Sequence, residues 1–244
     1  CPNIGECFFN KKLTFLILGD ICTRNCSFCN VKTGVPEEMD SDEPKRIASV
    51  VKELKLEYVV ITSVTRDDLA DGGCSVFLEV IEQLKQLNQE IKIEVLIPDF
   101  KEDRESLKKI ALSDVDVIGH NIETIERLYP EIRPMADFNN SLNVLRYIKE
   151  TAPSQKKIKS GFMVGFGEDI EEIKKLLHIL FTQHVDIVTV GQYFQPSLIN
   201  VPVKRIYTDE EFNEIKDSGK RTGFKYISSG RFVRSSYYAE DVSN

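Results

Sequence analysis

Leu13-Thr14-Phe15-Leu16-Ile17-Leu18-Gly19-Asp20-Ile21-Cys22-Thr23-Arg24-Asn25-Cys26-Ser27-Phe28-Cys29 is the stretch on which the fold turns. It begins as an almost continuous apolar run, as a parallel strand covered on both faces requires. Three thiols follow directly, at C-x3-C-x2-C spacing. Runs like the first recur at Tyr58–Thr62, Ile91–Ile97, Val115–Gly119, Lys159–Val164 and Asp186–Val190. Between them apolar residues return at helical spacing: Ile47, Val50, Val51 and Leu54; Val76, Phe77, Val80, Ile81 and Leu84; Ile173, Leu176, Leu177 and Leu180. Six strand–helix units of this kind predict an α/β fold, a partial or modified (β/α)6 TIM-type barrel. An open doubly wound sheet would want a glycine-rich phosphate turn after the first strand, and the sequence has none there.

Working outward, residues 13–195 read as the barrel. Residues 1–12 form an N-terminal extension that carries two cysteines. Residues 196–244 form a C-terminal extension that closes the active site, with a helix opened by the capping-box string Thr208-Asp209-Glu210-Glu211. The 244 residues are enough for one large core. A hydrophobic content of 41% and a charged content of 29% are ordinary for a globular chain and exclude disorder. The net charge of −7 argues against general binding to nucleic acid or to an anionic membrane. No apolar run approaches the ~20 residues of a membrane span. The cysteines stand at 1, 7, 22, 26, 29 and 74. A disulfide scaffold would scatter them, whereas clustering near one end points to metal.

Three thiolates on one loop hold three corners of a 4Fe–4S cube and leave the fourth iron open. An open iron can chelate the amino and carboxylate groups of S-adenosylmethionine (SAM) and pass an electron to its sulfonium. The loop follows a strand, at the end of the barrel where active sites gather. A structural zinc site would want four closed ligands, commonly from a second C-x2-C knuckle, and none is present. With Phe28 ahead of its last cysteine, the loop resembles the signature of the radical SAM superfamily.

The strings CPNIGEC, LILGDICTRNCSFCNV, SVTRDDLADGG, EVLIPDF, HNIET, IRP, VTVGQYFQPS and RSSYYA occur in order along the chain. Together they resemble the lipoyl synthases. The resemblance implies two 4Fe–4S clusters and SAM as cofactors. One cluster would sit on Cys22, Cys26 and Cys29, which are also the catalytic residues. The auxiliary cluster, the sulfur donor, would use Cys1, Cys7 and a further cysteine upstream of Cys1. Its fourth ligand would be Ser236, with Ser235 as the alternative. The implied reaction inserts sulfur at carbons 6 and 8 of an octanoyl chain on a lysine of a lipoyl-carrier protein. That carrier is a 2-oxoacid dehydrogenase lipoyl domain or a glycine cleavage H protein. Ferredoxin or flavodoxin is the implied reductant. The expected location is the cytoplasm, or an organelle matrix in a eukaryote. Two departures fall near the mouth: Asn200, where a histidine is usual, and Ser229-Gly230-Arg231-Phe232, where a Gly-Pro pair is common. Rival readings are another sulfur-inserting radical SAM enzyme and a non-catalytic iron–sulfur module.

Position on the active face and the family match together mark Thr62, Ser63, Asp67, Asp68, Asn121, Glu123, Arg133 and Gln195 as contacts to SAM. Glu123 would accept from ribose hydroxyls and Arg133 would pair with a carboxylate. His120 reads equally as a ligand contact or a satisfied core histidine. Gly165-Phe166-Gly167-Glu168 reads either as a place where backbone approaches the cofactor or simply as a turn with Glu168 beginning a helix. His178 and His184 read as structural, and Cys74, which opens a helix, as an ordinary partly buried thiol.

Overall fold

A computed structural model describes residues 3–9 and 11–236. Cys1, an expected cluster ligand, lies outside them, as does the end of the chain from Tyr237. A short helix, α1 (Ile4–Phe9), leads into β1 (Lys12–Ile17). The two-residue strands β2 (Ile21–Cys22) and β3 (Lys32–Thr33) pair with each other around the cysteine loop. There follow α2 (Glu43–Leu54), β4 (Tyr58–Ser63), α3 (Cys74–Leu87), β5 (Lys92–Leu96), α4 (Arg104–Leu112), β6 (Val117–Gly119) and the short α5 (Tyr129–Ile132). Next come α6 (Phe138–Thr151), β7 (Lys157–Val164), α7 (Ile170–Thr182), β8 (Ile187–Gln192), α8 (Asp209–Thr222) and β9 (Tyr226–Gly230).

The long strands form one seven-stranded parallel sheet in the order β1-β4-β5-β6-β7-β8-β9. Chain neighbours are therefore sheet neighbours throughout, as in a barrel wall built from successive right-handed crossovers. β1 and β9 are its two edges, so the barrel is partial. All six expected strands are present, each within two residues of its expected bounds. The seventh, β9, rises from the segment read as an extension. Its Tyr-Ile-Ser-Ser-Gly sequence buries only Ile227, and it pairs with β8 alone. Such an edge strand carries no apolar run to give it away.

Alternation along the strands sorts residues between two faces. Val59, Ile61, Ile93 and Val95 join the core that packs against the helices, while Tyr58 and Val60 form a separate inner cluster. Fully burying each such aliphatic side chain is worth roughly 1.5–3 kcal/mol. Of the expected α2 face, Ile47 and Val51 are buried but Val50 and Leu54 are exposed. Side-chain caps begin α4, α6, α7 and α8 at Asp103, Asp137, Asp169 and Thr208. At Thr208 the expected capping box forms with Glu211. Glu168 does not begin a helix: its carboxylate is buried and accepts from the Gly165 and Phe166 amides at 2.6 and 3.0 Å.

Candidate active site

Every crossover leaves the C-terminal ends of the strands at one rim, and the cysteine loop closes over that rim. The loop is built by local rules. Cys22 ends β2, the Cys29 amide donates to Cys26 O at 3.0 Å, and the Gly34 amide donates to Cys22 O at 3.1 Å. Cys22, Cys26 and Cys29 are free thiols lining one cavity. Thr62 and Ser63 at the end of β4, and His120, Asn121, Glu123 and Arg133 beyond β6, line the same cavity. The structure thus brings together the three expected cluster ligands and five of the eight expected SAM contacts.

Backbone amides aim at the sulfurs. Cys22 Sγ accepts from the Arg24 and Thr65 amides at 3.4 and 3.3 Å, and Cys29 Sγ accepts from the Val31 amide at 3.4 Å. Burial pushes the Cys26 and Cys29 thiols above their ordinary pKa, opposed at Cys26 by Arg133 and at Cys29 by the Val31 amide. Thiolates so placed need a cation to be stable, which is how metal binding couples to thiol ionisation. The donor set fits a cluster held at three corners: soft ligands on one loop, amides on the sulfurs, and a cavity beside them. Among the described residues no group of three or more His, Cys, Asp or Glu side chains converges on one point as a single-ion site.

Two anchors hold the loop, and sequence reading found neither. The first is Arg24. Its guanidinium is buried and pairs with Asp67 at 2.7 and 2.8 Å and with Asp99 at 2.6 and 2.8 Å. Burial opposes both charges, yet Arg24 holds Asp99 down at about 2. The second is Asn200, in the loop after β8. Its Nδ2 donates to Ser27 O at 3.2 Å and to Cys29 O at 2.8 Å, and the Val201 amide donates to Ser27 O at 3.0 Å. Arg24 could have been noticed as the charged residue inside the C-x3-C span. Nothing in the sequence ties Asn200 to a loop so far upstream.

Three other expected SAM contacts, Asp67, Asp68 and Gln195, are not among the residues that line this cavity. Asp67 does not line the cavity, because the Arg24 pair occupies its carboxylate. Asp68 is likewise engaged by Arg66, at 2.8 Å. Gln195 turns its amide to Asn200 O at 2.8 Å and so braces the strap over the cysteine loop. The backbone does the sorting here: Glu123 sits at φ +66°, and its amide donates to Gly161 O at 3.0 Å. Burial raises its carboxyl pKa and Arg133 opposes the rise. Arg133 itself donates to Asn121 O at 3.1 Å and to the Tyr129 hydroxyl at 2.9 Å.

The two terminal segments meet at the rim. Asn3 Nδ2 donates to Phe232 O at 2.7 Å, and Phe232 stacks on Phe194 with ring centroids 6.0 Å apart. Arg234 lies over Phe194, 5.6 Å from its centroid. Cys7 is half-buried on α1, and Ser235 and Ser236 are half-buried just past this junction. None of the three lines the cavity that Cys22, Cys26 and Cys29 share. Cys74 opens α3 as expected and is fully rather than partly buried, with its thiol pushed up to about 11 by burial.

Residues 16–180 match the radical SAM superfamily. The chain is 53% identical to the lipoyl synthase of Caldicellulosiruptor bescii, over 100% of this chain and 84% of that protein. It is 49% identical to the lipoyl synthase of Rubrobacter xylanophilus, over 99% and 75%. It is 47% identical to the mitochondrial lipoyl synthase of Nematostella vectensis, over 98% and 82%. Among solved structures it resembles Streptococcus suis SuiB bound to S-adenosylmethionine (TM-score 0.71, 14% identity, 94% of this chain and 52% of that one). It also resembles methylornithine synthase (TM-score 0.64, 16% identity, 97% and 79%). At those identities the structures speak to the fold alone.

Proposed function

The chain belongs to the lipoyl synthase family, within the radical SAM superfamily, and from that membership we propose how its own residues divide the work. The enzyme is a sulfurtransferase that converts a protein-bound octanoyl chain to lipoyl by adding sulfur at carbons 6 and 8. The observation that carries this reading is the convergence of Cys22, Cys26 and Cys29 with Glu123 and Arg133 on one cavity at the strand ends.

Cys22, Cys26 and Cys29 would hold a 4Fe–4S cluster. When bound, that cluster and SAM supply the reducing electron and the 5′-deoxyadenosyl radical that removes hydrogen from the alkyl chain. The chain's residues bind, orient and exclude water. Asn121, Glu123 and Arg133 place donors and acceptors around SAM, and Leu16, Phe28 and Val64 dry the cavity walls. Arg24, through Asp67 and Asp99, and Asn200, through Ser27 and Cys29, hold the loop that carries the three thiols.

An auxiliary cluster, the sulfur source, would take Cys1 and Cys7 from the N-terminal segment and Ser236 from the C-terminal one. The Asn3–Phe232 hydrogen bond supports this, because it draws those two segments together. Oxygen is a poor partner for iron beside thiolate, so Ser236 would be the weakest ligand of such a cluster. The carrier is a lipoyl domain or an H protein, and the electron donor is a ferredoxin or flavodoxin. The compartment follows the carrier: cytoplasm in a bacterium, organelle matrix in a eukaryote. Among the described residues no helix is long and apolar enough to cross a membrane.

The test is anaerobic reconstitution with iron and sulfide counting, followed by assay for 5′-deoxyadenosine and for lipoyl product on an octanoyl-lysine peptide. Cys26→Ala is expected to abolish both products. Cys7→Ala is expected to keep 5′-deoxyadenosine formation and lose lipoyl. Retained 5′-deoxyadenosine in Cys26→Ala would sink the ligand assignment, and its loss in a folded Cys7→Ala protein would sink the separation of roles.

A further inference from the structure

The loop after β8 contains a turn whose residues folding does not explain. The Asn200 amide donates to Ser197 O at 3.1 Å, which leaves Leu198 and Ile199 as the two central residues of a tight turn. Such positions favour Gly, Asn, Asp, Ser and Pro. Here they hold two aliphatic side chains that are 96% and 93% exposed. Single apolar residues scattered over a surface need no account, but two neighbours standing clear of it call for a partner.

The turn is braced and its place is fixed. Ser197 Oγ donates to Asn200 Oδ1 at 2.7 Å, and Gln195 Nε2 donates to Asn200 O at 2.8 Å. Asn200 Nδ2 then ties the turn to Ser27 O and Cys29 O. The aliphatic pair is therefore held out at the rim, on a strap fastened to the loop that carries the cysteines. Phe194, earlier in the same loop, and Phe232, which stacks on it, are 39% and 52% exposed and add apolar surface at the rim. The cations of the strap are paired within the chain, Lys204 with Glu131 and Arg205 with Glu211. What the tip offers a partner is apolar contact.

We propose that Leu198 and Ile199 are a docking contact for the folded carrier domain that presents the octanoyl-lysine. The inference rests on the function proposed above and names a surface by which that substrate is recognised. Carbon 6 has to reach the cavity on an arm made of one lysine side chain and part of the acyl chain, roughly 14 Å when extended. The body of the carrier must therefore come down onto the rim, and the strap over the cysteine loop is part of that rim. The docking contact is thus continuous with the mouth through which the acyl chain enters. An apolar knob seated in a recess of the carrier adds affinity that a short octanoyl-lysine peptide cannot have. A membrane is the poorer occupant, because anionic lipid repels a chain with a net charge of −7.

The experiment uses the full chain, anaerobically reconstituted, with an octanoylated lipoyl domain and, in parallel, a short octanoyl-lysine peptide. The Kd for the domain is measured by calorimetry for wild type, Leu198→Ser, Ile199→Ser and the double variant, with iron content determined for each. The double variant is expected to bind the domain about tenfold more weakly and each single variant about threefold, at wild-type iron content. Formation of 5′-deoxyadenosine with the peptide should keep its wild-type rate in all of them, while the rate at sub-saturating domain falls with the affinity. Unchanged affinity for the domain in the double variant overturns the proposal. So does an equal loss with domain and peptide, which would place the effect inside the cavity. A wild-type dimer, or binding to anionic vesicles, that the double variant loses while domain affinity stays the same gives the tip another occupant, and also overturns it. If the double variant does not hold iron, the two single variants decide by the same criteria. Failure of the wild-type protein to form lipoyl on either substrate would count against the function itself rather than against this docking contact.

Discussion

Two groups of buried polar side chains share the interior of this barrel, and they differ in completeness. Toward the N-terminal ends of the strands, Lys159 Nζ reaches both Glu94 oxygens at 2.8 and 3.1 Å, and the Tyr58 hydroxyl donates to Glu94 at 2.9 Å. That floor leaves no side-chain polar atom unpartnered among its members. At the C-terminal rim, Ser63, His120 and Arg133 each keep one buried polar atom without a partner. The floor is complete in the chain alone, whereas the rim is built for something else to complete. The strands that carry both are the same, so the difference tells structural polarity from functional polarity without reference to sequence position.

The sharpest way to break the comparison is at the floor. Lys159→Met would leave the Glu94 carboxylate buried without its cation, at an expected cost of about 3–5 kcal/mol. Adding Glu94→Leu and Tyr58→Phe removes the stranded groups, and the triple variant should regain most of that loss. Urea unfolding of the cluster-free chain reads both values. A triple variant no more stable than the single one would show that the floor is more than a closed ion pair.

The rim should betray itself through pH instead. Burial depresses the folded pKa of His120 from 6.5 to about 4, so between those values the unfolded chain binds the extra proton. Stability therefore rises with pH across that window, and up to about 3 kcal/mol is lost on going down to pH 4. His120→Gln cannot take the proton and should flatten this part of the curve, leaving the fall below about pH 4 where Asp99 titrates. A curve of the same slope in both proteins would mean His120 is not held neutral.

Asn200 gives the smallest and most local effect. Asn200→Ala removes two hydrogen bonds to the cysteine loop, at roughly 1–2 kcal/mol. In the cluster-free chain the change should speed alkylation of Cys29 relative to Cys22, read by mass spectrometry, because only the Cys29 end of the loop is strapped from that side. Equal acceleration at both thiols would place the strap's effect elsewhere.

The chain's own text determined its class and its chemistry. Apolar runs and helical spacing gave six strand–helix units, and the Cys22–Cys29 spacing gave the cluster loop, because periodicity and ligand spacing are local properties that survive in one dimension. What only the tertiary structure decided was pairing. Asp67 and Asp68 pair with Arg24 and Arg66, while His120, equally a core residue on paper, keeps its Nε2 without a partner at the cavity. The polar strand β9 joined the sheet because β8 offered it an edge, not because its residues announce a strand. Asn200 reached the cysteine loop across more than half the chain. A buried polar group is functional or structural according to what the fold sets beside it, and those neighbours come from elements that the sequence keeps far apart.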